Sequence, residues 1–162
     1  MDISDNIKSW IDTFLSVPHP IFNNLPPCPY AKKAWAEERV LVKEIKDPVE
    51  YNLQTSMSNY GFLWPDADVV IFAFDPNKIT AYDLKELVDK VQRRVLDAKG
   101  LVALEDHPDD EEAIESVVLN NGDMGLVLVQ PRKKLEEARK HLDALGYYRY
   151  WPEEYKSEVQ AR

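Results

Sequence analysis

DVVIFAF, residues 68–74, sets six apolar residues in a row behind one acid, and its reading decides the fold. The run is shorter than an ordinary helix and rich in β-branched and aromatic residues. It stops at Asp75-Pro76-Asn77, a turn signal. It therefore reads as a strand buried on both faces. The next segment is equally regular. Thr80 is placed to cap a helix, with Asp83 three residues on, and Leu84, Leu87, Val88, Val91 and Val95 repeat at helical spacing until Gly100. Leu101–Glu105 reads as a second strand and Gly125–Gln130 as a third. After Pro131, Leu135, Ala138, Leu142 and Leu145 mark another helix, which Gly146 ends. Tyr147–Trp151, YYRYW, has strong β propensity and is expected to be a fourth strand.

From residue 68 to 151 the expected order is therefore strand, helix, strand, strand, helix, strand. This predicts an α+β fold with a ferredoxin-like split βαβ core, an antiparallel sheet with both helices on one face. Residues 1–60 precede it as a helical and proline-rich extension. Ile3, Ile7, Trp10, Ile11, Phe14 and Leu15 share one helical face, and residues 18–29, with five prolines, form a stiff connection that is apolar enough to pack on the body. Tyr30–Glu38 reads as a short helix, RVLVKEI (39–45) as an added edge strand, and Asp47–Met57 as another short helix. The acidic insertion DHPDDEEAIESVVLNNGD, 106–123, is expected to hold a short helix and an Asn121-Gly122 turn.

The 162 residues suit a single domain, 1–162, with a real core. With 44% hydrophobic and 30% charged residues the chain is globular in composition, and one cysteine excludes an internal disulfide. MDISDNIKSW has neither the basic nor the apolar region of a signal peptide, so the expected location is cytoplasmic, with no membrane partner. A net charge of −9 argues against nucleic acid, because phosphate binding needs a basic face.

Two places carry candidate chemistry. Cys28 stands just before the Tyr30–Glu38 helix, where unpaired N–H groups and Lys32 would favour a thiolate. The string CPYA looks like half of a glutaredoxin motif, but Ala31 replaces the second cysteine and a proline-rich loop replaces the strand before it. His107 follows a strand end among Glu105, Asp106, Asp109, Asp110, Glu111 and Glu112, and a carboxylate could orient its imidazole as a base or metal ligand. No HxxxH, CxxC, glycine-rich phosphate loop or GxSxG elbow occurs.

Cys28-Pro29-Tyr30-Ala31-Lys32, and the segment from Asp68 to His107-Pro108, together resemble an uncharacterised bacterial family, a domain of unknown function. Its members carry Cys-Pro-Phe-Ala-Lys and a later strand running into His-Pro. The chain departs from it at Asp75-Pro76, where the family has a first His-Pro, and at the acidic residues 109–112. The resemblance implies that Cys28 and His107 act together. The expected site is then Cys28 as nucleophile, His107 as base and Lys32 as anion-favouring cation. With a divalent metal as the candidate cofactor, Cys28, His107, Asp106 and Asp109 would be its ligands. The expected function is an enzyme or metal-binding protein acting on a small molecule. The alternative is a non-catalytic acidic adaptor or inhibitor that meets a basic protein partner through residues 106–115.

Overall fold

A computed structural model describes residues 2–162 of the chain. Four strands form the main sheet: β1 (Val40–Glu44), β2 (Val69–Phe74), β3 (Leu101–Asp106) and, beyond a small hairpin of β4 (Ala113–Ile114) and β5 (Val117–Val118), β6 (Gly125–Pro131). The helices are α1 (Ile3–Trp10), α2 (Ala31–Ala36), α3 (Glu50–Ser58), α4 (Tyr60–Leu63), α5 (Ala81–Val91), α6 (Arg132–Ala144) and α7 (Glu153–Gln160). None of the described helices is long and apolar enough to cross a membrane.

The sheet order is β1-β2-β6-β3, and the sheet is mixed. β2 pairs antiparallel with β6, Phe72 opposite Val127, and β6 pairs antiparallel with β3, Leu128 opposite Leu104. β1 joins the outer side of β2 in parallel register, Val40 opposite Val69. Successive side chains of a strand face opposite ways, so DVVIFAF feeds two cores at once. Val70, Phe72 and Phe74 pack with Leu53 and Met57 of α3 and with Leu84, Val88 and Val91 of α5. Ile71 and Ala73 pack on the other face with Ile7, Ile11 and Ala31. Each of the larger buried side chains contributes about 1.5–3 kcal/mol relative to exposure, the alanines less. The cap of α5 forms as its sequence indicates, the Thr80 hydroxyl accepting from the Asp83 N–H at 3.1 Å.

The expected fourth strand is absent, for a local reason. The amide of Gly146, at φ 77°, donates to the Asp143 carbonyl, and that of Tyr147 donates to Leu142, both at 3.0 Å. This Schellman turn swings the chain back over its own helix. YYRYW becomes a series of turns in which the rings of Tyr147, Tyr148 and Trp151 gather around Phe22, Leu142 and Ile114 in a third core. Tyr147 lies 5.2 Å from Phe22 and Trp151 4.8 Å from Tyr148 between ring centroids, within the range of favourable aromatic pairs. The outer place in the sheet goes to β1, and because β1 is parallel to β2 the sheet is not the expected antiparallel one.

Nor do both long helices share a face. Leu135 and Ala138 of α6 stand over Leu128 and Gln130, on the side of Ile71, opposite α5. The acidic insertion also differs from expectation. In place of a helix it forms a turn and the β4–β5 hairpin, because the Asn120 side chain satisfies its backbone in another way. The Asn120 carbonyl oxygen accepts from the Glu112 N–H at 2.7 Å, and its amide faces Asp106 Oδ1 at 2.7 Å and the carbonyls of His107 and Asp110 at 3.1 and 3.2 Å.

Candidate functional site

On the second face of the sheet, α1 and α2 lie over β1 and β2, and α6 stands over β6 with the YYRYW turns at its end. The Tyr147 hydroxyl bridges the two sides at Pro27. Between them runs a cleft of about 770 Å³, floored by Val69, Ile71, Leu128 and Gln130. One wall is Trp10, Ile11, Leu15 and the Pro27–Ala31 turn. The other is Leu135, Ala138, Leu142, Tyr147 and Trp151, with Val159 of α7. Arg162 holds the end of α7 in place, its guanidinium meeting the Glu105 carboxylate at 3.0 and 2.5 Å while its carbonyl accepts from Arg139 at 2.8 Å.

Cys28 belongs to this wall. Its amide donates to the Leu15 carbonyl at 2.9 Å, which ties the proline-rich turn to the end of the first helical segment. The Tyr147 hydroxyl donates to Pro27 at 2.5 Å and closes the same turn from the opposite wall. The thiol is part-buried, and burial pushes its pKa up. The N–H groups of Tyr30 and Ala31 at the start of α2 act in the opposite sense and are outweighed. The sequence pointed to those N–H groups but not to the desolvation. Cys28 is accordingly a neutral thiol in an apolar wall. Lys32 is exposed and outside the cleft, whose lining takes Lys33 instead.

His107 stands elsewhere. It is buried, just past β3, and both ring nitrogens are occupied. Nε2 lies 3.0 Å from the Pro76 carbonyl and 2.8 Å from that of Ile79, while Nδ1 lies 3.1 Å from the Asp109 amide. Two carbonyls require a donor and an amide requires an acceptor, so these partners fit the tautomer with its proton on Nε2. It pins the β2–α5 connection to the end of β3. Asp106 is engaged in the same fastening, accepting from Asn120 at 2.7 Å and from the Asn121 amide at 3.0 Å. Burial raises its pKa against the opposing pull of those bonds. Asp109, Asp110, Glu111 and Glu112 face solvent.

The structure thus does not bring the expected site together. Cys28 lines the cleft, His107 and Asp106 brace the insertion, and no residue that holds His107 lines the cleft with Cys28. Among the described residues no group of three or more His, Cys, Asp or Glu side chains could hold a metal ion. The hydrogen bonds of the insertion engage the His107 imidazole and the Asp106 carboxylate, while Cys28 lines the cleft.

Sequence reasoning missed the cleft itself. It passed over Arg39, Asp68 and Lys134, which stand at the cleft end where β1 and β2 begin and β6 ends. Asp68 pairs with Arg39 and, at 2.7 Å, with Lys134. The signal was only that Arg39 and Asp68 directly precede strands, at Val40 and Val69, and that Lys134 lies in the first turn of α6 after β6 ends at Pro131. Compared with protein families, with curated proteins and with solved structures, the chain matches none.

Proposed function

We propose that this chain is a cytoplasmic binding protein for a small, largely apolar molecule held in the cleft beside Cys28. The observation that carries the reading is the cleft's size joined to its lining. At about 770 Å³ it lies within the roughly 300–1,000 Å³ common to small-molecule sites. Its walls combine aromatic and aliphatic side chains from the first helix, the proline-rich turn, α6 and the YYRYW turns. Such a lining gains free energy by burying apolar ligand surface. The framework reads as a split βαβ core over 69–131 in which β1 takes the outer strand place. With α6 thrown onto the second face, the N-terminal extension and α6 become the two walls. Catalysis by Cys28 with His107 has no support in this geometry, since the imidazole is committed elsewhere and the thiol is neutral. The acidic-adaptor alternative keeps only the exposed carboxylates 109–112 in its favour.

The test is titration with N-phenyl-naphthylamine, a neutral fluorescent probe, on the wild type and on Ala138→Trp, which fills the cleft from the partly exposed side of α6. Saturable enhancement in the wild type, weakened about ten-fold or more in the variant, together with slower alkylation of Cys28 when the probe is bound, is the expected result. No saturable binding, or equal binding by both proteins, sinks the reading.

A further inference from the structure

The cleft is not uniform along its length, and its asymmetry says what kind of apolar molecule it takes. Its body is apolar. At the end where β1 and β2 start, three cations meet two anions: Lys33, Arg39 and Lys134 against Glu37 and Asp68. Glu137 and Arg139 also line the cleft, so over its whole length one positive charge is left over, in a chain whose net charge is −9. The cations come from three separate elements, so the fold, and no local run of lysines, assembles them.

Asp68 shows what the cluster accepts. A single carboxylate is held between a guanidinium and an ammonium, with Lys134 at 2.7 Å. α6 begins at this same end with no side chain capping it, and its 13 residues direct a partial positive charge there. Resting on the reading of the cleft as a ligand site, we propose that the ligand is an amphipathic monoanion. It is an apolar chain or ring system bearing one carboxylate, its body in the cleft and its head beside Arg39 and Lys134. A monoanion matches the single surplus charge. A phosphorylated ligand with two charges would exceed it, and the cluster has no glycine-rich backbone to supply the missing donors.

Displacement of bound N-phenyl-naphthylamine by decanoate, decanol and decylamine tests this, because the three share a tail and differ in head. The expected order is decanoate first, by about ten-fold over decanol, with decylamine weakest. The advantage of decanoate should shrink at high salt, as screening requires. Lys134→Met, at an exposed position on α6, should remove most of the advantage and leave decanol unchanged, and Arg39→Met should do the same if it folds. Equal displacement by decanoate and decanol, or no change in Lys134→Met, overturns the headgroup assignment while the cleft remains a ligand site. Displacement by none of the three, with the probe bound, overturns it as well. Failure of the probe itself to bind removes both readings.

Discussion

His107 shows how one side chain can satisfy three backbone groups, two from the β2–α5 connection and one from its own turn. Its Nε2–H serves the carbonyls of Pro76 and Ile79, and its Nδ1 takes the Asp109 amide. Removing the ring leaves those part-buried groups short of partners, each at a cost of about 1–3 kcal/mol where water cannot enter. His107→Ala is therefore expected to lower the unfolding free energy by about 2–4 kcal/mol. Asp109→Ala, at an exposed position, should change it by less than about 0.5 kcal/mol. Urea denaturation of both variants decides. An undisturbed His107→Ala would make the imidazole a functional candidate again. The carboxylates around His107 in sequence suggested a site, but the Asp109 carboxylate, 3.9 Å from Nδ1, lies beyond hydrogen-bond reach and faces solvent. The groups it bonds at Pro76 and Ile79 are 31 and 28 residues away, and nothing local in EDHPDDEE announces them.

At the level of elements, two glycines set what their neighbours can do. Gly146 permits the left-handed turn that returns Tyr147 to Leu142, and so decides against a fourth strand. Aromatic composition pointed to a strand, but the turn and the rings' contacts with Phe22 override it. Gly125 acts by absence of a side chain. It sits opposite Phe74 across β2 and β6, and a Cβ there would lie 2.2 Å from the Phe74 ring. Phe74 is itself buried and has little freedom to retreat. Gly125→Ala should consequently lower stability by about 1–3 kcal/mol through overpacking, and Gly125→Ala combined with Phe74→Leu should lose less than the sum of the two single changes. Additive losses in thermal or urea melts would mean that the ring and the glycine do not share that space.

The whole molecule should respond to alkali through its buried phenols and its thiol. Burial pushes Tyr60 up to about 12 and raises Tyr147, Tyr155 and Cys28 as well. In the unfolded chain a thiol titrates near about 8.5 and a phenol near about 10. Folded values above unfolded ones mean that the folded chain holds these protons more tightly. The stability they confer is complete below about pH 8.5 and is lost as pH rises toward the folded values, by at most about 1.4 kcal/mol per group per unit. Urea midpoints between about pH 8 and 11 should fall steadily, and less steeply in Tyr60→Phe. An unchanged slope in that variant would mean Tyr60 titrates freely. The sequence alone determined the strand at 69–74, the capped helix at 81–91, the strands on either side of the insertion and the packing of the proline-rich turn. Each of these is written in spacing that repeats within a few residues. RVLVKEI is the edge strand its sequence suggested, but only the tertiary structure decided that it runs parallel to β2 in the place expected for YYRYW, that α6 crosses to the second face, and that Arg39, Asp68 and Lys134 share one end of a cleft. Those outcomes depend on which surfaces meet across dozens of residues, and local periodicity carries no record of which surface lies opposite.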